Sequence, residues 1–218
     1  LKWLGGVDKF ILSTLAEFNG DVIGGLGDDS LAVSSGENVW RLTGADTGSL
    51  NSITGFSSVE SLSGGVDQDI FIFNFEGRYS GNINAAGSSR DIVDVSEVAD
   101  LNVHIESDHI HGVENVEQII GDNLSSILTA PNTGTNEWNI VNFDLNSSDT
   151  RIDGVNDGII ENNATSLTPI QFVNFFQLVG GTDSQDIFTI GSSGSYTGTI
   201  DGGSGSGTNS LAKMNGAN

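Results

Sequence analysis

The sequence predicts an all-β protein, a parallel β-solenoid wound from repeats of about 59 residues, and three observations predict it. One phrase recurs. It reads Gly64-Gly65-Val66-Asp67-Gln68-Asp69-Ile70-Phe71-Ile72-Phe73, returns as Gly180-Gly181-Thr182-Asp183-Ser184-Gln185-Asp186-Ile187-Phe188, opens the chain in shorter form at Gly5-Gly6-Val7-Asp8, and is worn at Gly121-Asp122-Asn123-Leu124. The leading glycines are 59, 57 and 59 residues apart, and self-similarity at an even period marks a repeat architecture. Next, short runs rich in Ile, Val and Phe stand between clusters of Gly, Asn, Ser and Asp, the pattern of strands and turns. Last, no stretch carries a sustained 3.6-residue apolar stripe.

The repeats are expected at 1–59, 60–116, 117–175 and 176–218 of a single solenoid. In each, the glycine phrase gives a turn and then a strand, because Gly takes the positive φ of tight turns and β-branched residues favour strands. A second element follows at Phe18–Gly25, Tyr79–Asn84 and Tyr196–Asp201, and a third strand at Ser30–Val33, Asp91–Val95 and Ser210–Ala212. Residues 34–63 bridge to the next repeat through an alternating strand, Asn38–Thr43, around Trp40, which Glu137–Phe143 echoes around Trp138. The lead-in Gly55-Phe56-Ser57-Ser58-Val59 is echoed from Gly112 and from Gln171, and residues 144–170 read as a longer loop or a widened coil. Alternation along strands puts Phe10, Leu12, Phe71, Phe73, Phe188 and Ile190 inward and Ile11, Ile72 and Thr189 outward. One such repeat cannot bury its apolar face alone, whereas stacked copies can. The alternative architecture is a string of β-sandwich modules, for which this period is short.

Composition narrows the function. The 218 residues hold 7 Lys plus Arg against 29 Asp plus Glu, a formal charge of -22. That surface repels nucleic acid and anionic lipid. With no Cys there is no disulfide framework or thiolate zinc site, and no apolar run reaches the roughly 20 residues of a spanning helix. The chain opens at Leu1 inside a repeat, so the expectation is a segment of something longer.

Catalytic motifs are missing. There is no Gly-x-Ser-x-Gly elbow and no phosphate loop, and among so many acids, carboxylate pairs suited to glycoside cleavage arise by chance. Trp3, Trp40, Trp138 and Phe18 offer rings for sugar stacking, but their regular strand positions point to the core. All three histidines lie in His104-Ile105-Glu106-Ser107-Asp108-His109-Ile110-His111. On a single strand His109 and His111 share one face and His104, Glu106 and Asp108 the other, which leaves a two-imidazole site without a third ligand.

The strings from Phe172 to Phe188 and from Thr197 to Gly203, with Asn38-Val39-Trp40-Arg41-Leu42-Thr43-Gly44, resemble a repeat of large, filamentous-haemagglutinin-like bacterial surface proteins. The resemblance implies export to the extracellular or cell-surface space, a parallel β-solenoid, and a stalk, filament or adhesin role without catalytic residues. Its partners would be neighbouring repeats, other copies met end to end, and a host surface or glycan. The alternative function is a carbohydrate-binding or polysaccharide-cleaving solenoid.

A second, local resemblance is to the RTX nonapeptide. Gly24-Gly25-Leu26-Gly27-Asp28-Asp29-Ser30-Leu31-Ala32 matches every fixed position of GGxGxDxUx. It implies Ca2+ held by turn carbonyls and Asp carboxylates, here at Gly25, Gly27, Asp28 and Asp29, with Asp29 at the motif's fixed position. The next nine residues, from Val33, do not repeat the motif. Gly64–Asp69 has Asp67 where the third glycine belongs, and Gly202–Gly207 lacks the Asp.

Overall fold

The computed structural model describes residues 5–13, 18–51, 55–74, 79–87, 90–106, 109–141, 156–164 and 169–214. It is all-β: every regular element among these residues is a short strand. The chain divides into two compact units, Leu1–Glu97 with Gly112–Val116, and Val98–His111 with Glu117–Asn218.

In the first unit the chain passes back and forth between two sheets. β1 (Lys9–Leu12) lies in one, β2 (Asp21–Ile23) in the other, and β3 (Ser30–Val33) in the first again. An excursion of three strands in the second sheet follows, β4 (Asn38–Gly44), β5 (Thr47–Leu50) and β6 (Gly55–Ser57). The alternation then resumes through β7 (Ser61–Ser63), β8 (Asp69–Phe73), β9 (Asn82–Asn84) and β10 (Ile92–Asp94). β11 (Asn102–His104) and β12 (His109–Ile110) belong to the second unit, and β13 (Val113–Glu114) returns to the first.

Within the first sheet β1, β3, β7, β9 and β13 pair in parallel and set Phe10, Leu31, Leu62, Ile83 and Val113 in register. All five are buried. Triplets such as Ser61-Leu62-Ser63 and Asn82-Ile83-Asn84 turn one apolar side chain inward and two polar ones outward, which fixes that register. The second sheet runs β2-β6-β5-β4-β8-β10. It is mixed rather than parallel throughout, because β5 is antiparallel to both β4 and β6. Asp46, at φ 52°, makes the reversal between β4 and β5, a conformation that Asp tolerates better than most residues.

The second unit has the same strand order. Its parallel sheet, β11-β15-β19-β21, uses β15 (Ile127–Thr129), β19 (Gln177–Val179) and β21 (Thr199–Asp201). Val103, Leu128, Leu178 and Ile200 stand in register across it. Its mixed sheet runs β14-β18-β17-β16-β20-β22, made of β14 (Gln118–Ile120), β16 (Thr135–Ile140), β17 (Gly158–Asn162), β18 (Ile170–Val173), β20 (Gln185–Ile190) and β22 (Ser210–Lys213). Here β17 is the antiparallel strand. Residues 144–170, expected as a longer loop or a widened coil, contain β17, whose Ile160 is fully buried; residues 142–155 and 165–168 lie outside the described residues.

The alternation holds for Phe10, Phe71, Phe73 and Phe188, all buried, and for Ile11, which is 59% exposed. Leu12 and Ile190 are only half-buried. Ile72 differs from expectation: it is buried, not outward. It sits in an interior strand with Arg41 and Asp94 on either side in register, while Ile70 on the same face stays half-buried.

Candidate calcium turn and the buried aspartates

The turn between β2 and β3 carries the candidate calcium residues. Gly25 and Gly27 take φ of 116° and 130°, which only glycine adopts without strain. A Cβ on Gly27 would also collide with the carbonyl oxygen of Gly6 in the neighbouring turn. That closeness is used: Gly6 N–H donates to Leu26 O at 2.8 Å.

The two aspartates of this turn part company. Asp28 is exposed, whereas Asp29 is fully buried. Asp29 Oδ1 accepts the Asp8 N–H at 2.8 Å, and Asp29 N–H donates to Glu60 Oε2 at 2.7 Å. A Cβ on Gly24 would strike Ser58 O and lie 2.5 Å from Asp29 Oδ2, so this glycine is bare because a neighbouring carbonyl and the carboxylate five residues on both close over it. The phrase repeats this device. A Cβ on Gly64 would strike Asp69 Oδ2, and one on Gly180 would lie 2.6 Å from Asp186 Oδ2.

The worn phrase substitutes Ser126, whose hydroxyl accepts the Asp122 N–H at 3.0 Å. Its backbone bonds match Gly121 with Gly24 rather than with Gly5. Gly24 N–H donates to Ser57 O and Gly121 N–H to Val173 O, while Ser61 bonds Asp29 O as Gln177 bonds Ser126 O.

Asp69 and Asp186 anchor a buried network that sequence reasoning missed. Asp69 Oδ1 accepts from Asn38 Nδ2 at 2.9 Å and from Trp40 Nε1 at 3.2 Å, and Oδ2 accepts from Gly65 N–H at 2.8 Å. Asp186 Oδ1 accepts from Asn136 Nδ2 at 2.8 Å and from Trp138 Nε1 at 3.3 Å, with Ser184 Oγ on Oδ2 at 2.9 Å. Asn51 and Asn162 donate to the side-chain oxygens of Asn38 and Asn136. The available signal was Asn-x-Trp, present as Asn38-Val39-Trp40 and as Asn136-Glu137-Trp138. Burial pushes the Asp69 carboxyl above the usual carboxylate range, against the pull of its bonds from Gly65, Asn38 and Trp40.

Asp67, Asp183 and Asp201 are at the surface; Asp67 and Asp183 each hold a neighbouring turn, and Asp201 holds its own. Asp67 Oδ2 accepts from Gly36 N–H at 2.8 Å, Asp183 Oδ1 from Ser206 N–H at 2.9 Å, and Asp201 Oδ1 from Gly203 N–H at 3.0 Å. Burial would raise the Asp122 carboxyl, but the Ser125 hydroxyl and the N–H groups of Ser125, Ser126 and Leu124 outweigh it and hold the group well below the usual range.

Calcium takes several oxygen ligands. Asp29 Oδ2 and Asp8 Oδ2 are buried without a hydrogen-bond partner, which makes them the oxygens a cation would find at this turn. Among the described residues no three His, Asp or Glu side chains converge as a metal-binding group, so most of the ligands would have to be turn carbonyls and water.

Trp40 and Trp138 are fully buried. Each stacks on a phenylalanine, Phe71 at 5.7 Å and Phe188 at 5.2 Å between ring centroids, so neither offers a ring to a sugar. Trp3 lies outside the described residues. No protein-family model, curated protein or solved structure matches the chain.

Proposed function

We propose that the chain is a non-catalytic structural segment of a secreted bacterial surface stalk, filament or adhesin, built as a parallel β-solenoid that carries one hairpin excursion in each unit. The observation that carries this reading is the in-register column Phe10, Leu31, Leu62, Ile83 and Val113 in a parallel sheet whose strands alternate with those of a second sheet. Parallel pairing with the strand one coil away is what a solenoid requires. Tandem sandwiches would require antiparallel pairing throughout. The acidic surface and the resemblance to large surface proteins support export, and the burial of Trp40 and Trp138 removes the main support for a carbohydrate-binding reading.

Two further features fit a stacking segment. Calcium at the Gly24–Asp29 turn would neutralise carboxylates brought together by stacking. β22 is exposed at every position, with Leu211 61% exposed, whereas Val93 at the corresponding place in β10 is fully buried. An open strand edge with an apolar side chain invites another copy. Paired cysteines at Ser30 and Ser61, in register on neighbouring parallel strands, test the architecture: a disulfide between them is expected, and failure to form one would overturn it. Antibody labelling of intact, unpermeabilised source cells tests the surface location, and absence of labelling would count against it.

A further inference from the structure

We propose that Asn19-Gly20 is a site of spontaneous backbone modification, where the asparagine cyclises to a succinimide that opens to aspartate and isoaspartate. Five Asn-Gly or Asp-Gly steps occur in the sequence, and three of them, Asn19-Gly20, Asp157-Gly158 and Asp201-Gly202, fall among the described residues. Cyclisation needs the side-chain carbonyl of the first residue to meet the backbone nitrogen of the second. Glycine favours this because it has no Cβ to block the approach, and hydrogen bonds to either group oppose it.

The three steps differ in restraint. Asp157 is fully buried, its Oδ1 accepts the Asn174 N–H at 3.0 Å, and Gly158 lies within β17. Asp201 Oδ1 accepts the Gly203 N–H at 3.0 Å. Asn19 is exposed, and among the described residues neither its side chain nor the Gly20 N–H has a hydrogen-bond partner. Nor does the fold require glycine there. Gly20 is outside the left-handed region, and a Cβ on it would make ordinary contact with the Phe18 ring at 3.6 Å. In the matching elements a Cβ on Gly81 would strike Glu60 O and one on Gly198 would strike Phe176 O, so those glycines are bare because another stretch of backbone closes on them.

The reaction needs only water. The Gly20 nitrogen gives its proton to solvent base and bonds to Asn19 Cγ, the Cγ–Nδ2 bond breaks, and ammonia leaves. Water then opens the ring. Attack at Cγ gives aspartate, and attack at the main-chain carbonyl gives isoaspartate. Either product adds negative charge to a chain already at -22. Isoaspartate also lengthens the main chain by a methylene just before β2, whose Val22 is fully buried.

The test is peptide mapping of the full 218-residue chain after native incubation at mildly alkaline pH in heavy-oxygen water. Asn19 is expected to become a mixture of aspartate and isoaspartate, each carrying a heavy oxygen, while Asn38, which is buried and bonded to Asp69, persists. Gly20→Ala should slow the conversion at least severalfold, and Asn19→Gln should abolish isoaspartate at this position, both with unchanged far-ultraviolet circular dichroism. If Gly20→Ala fails to fold, the comparison of Asn19 with Asn38 in the native chain decides. Conversion at Asn19 no faster than at Asn38, conversion only after unfolding in urea, or an undiminished rate in folded Gly20→Ala would overturn the assignment.

Discussion

The indole Nε1 of Trp40 donates to Asp69 Oδ1 at 3.2 Å while the ring stacks on Phe71, so one residue ties a buried charge to the apolar core. Trp138 holds Asp186 and stacks on Phe188 in the same way. Removing the carboxylate would leave the Trp40, Asn38 and Gly65 donors unpaired in the interior. An unsatisfied buried donor costs about 1–3 kcal/mol, so Asp69→Ala should destabilise by about 3 kcal/mol or more. Trp40→Phe keeps most of the ring and loses one bond, and should cost less than Asp69→Ala. Urea unfolding of both variants checks the order; a loss below about 1 kcal/mol for Asp69→Ala would mean that the network contributes little.

Gly64 and Gly87 make a matched pair for the second prediction. A Cβ on Gly64 would strike Ala85 O and Asp69 Oδ2, while one on Gly87 would meet nothing within 4 Å. Neither residue needs a positive φ. Gly64→Ala forces backbone to move and should destabilise by about 1–3 kcal/mol, the usual cost of overpacking. Gly87→Ala only reduces the freedom of the unfolded chain and should be neutral or stabilise by up to about 1 kcal/mol. Equal effects at the two sites would sink this account of the phrase.

How much of this was legible in sequence depends on the range of the interaction. Phe10, Phe71 and Phe188 were placed correctly because alternation is local, and the glycine phrases were visible because a turn constrains the residues that make it. The antiparallel β5 and β17 were not visible. Their direction is set by a reversal such as that at Asp46, which reads like any other turn residue. The even glycine spacing also did not indicate which turns correspond, since backbone bonding matches Gly121 to Gly24. Asp29, Asp69 and Asp186 look like solvated turn acids in sequence. Their burial depends on donors far along the chain, and only the recurring Asn-x-Trp hinted at it.

The third prediction concerns acid. The Asp122 carboxyl is held below its ordinary value, against burial, by bonds from Ser125, Ser126 and Leu124. A depressed acid stabilises the fold at pH above its unfolded value, roughly 4, and that contribution disappears as pH falls through the lower folded value. Asp69 has the opposite sign. Its carboxyl is raised, so its contribution is present below the unfolded value and lost as pH rises through the folded one. Asp122→Asn keeps an acceptor oxygen but cannot ionise. Its stability should therefore fall less steeply than that of the native chain below about pH 4, in urea melts at fixed ionic strength. The carboxylate is partly exposed, so the difference is small. Identical acid limbs would rule out this role.

The calcium prediction rests on charge and on two orphaned oxygens. With a formal charge of -22, stacked turns bring carboxylates close, and about 0.15 M salt screens only beyond roughly 8 Å. Asp8 and Asp29 sit on bonded neighbouring turns, each with one buried oxygen lacking a partner. A divalent ion there would bind the folded state alone and add about 2.7 kcal/mol at a hundredfold excess over Kd, about 5–10 °C in Tm for a chain of this size. The quantity to measure is the gain in Tm from millimolar Ca2+ over chelator, because Asp29→Ala also removes the cap on the Asp8 N–H and lowers Tm by itself. That gain should vanish in Asp29→Ala and persist in a variant altered only at the exposed Asp28. Mg2+ should produce less, since it keeps its waters and demands octahedral geometry. Melting curves that coincide with and without Ca2+ would leave Asp29 as a turn cap, with its second oxygen buried at a cost that the surrounding fold absorbs.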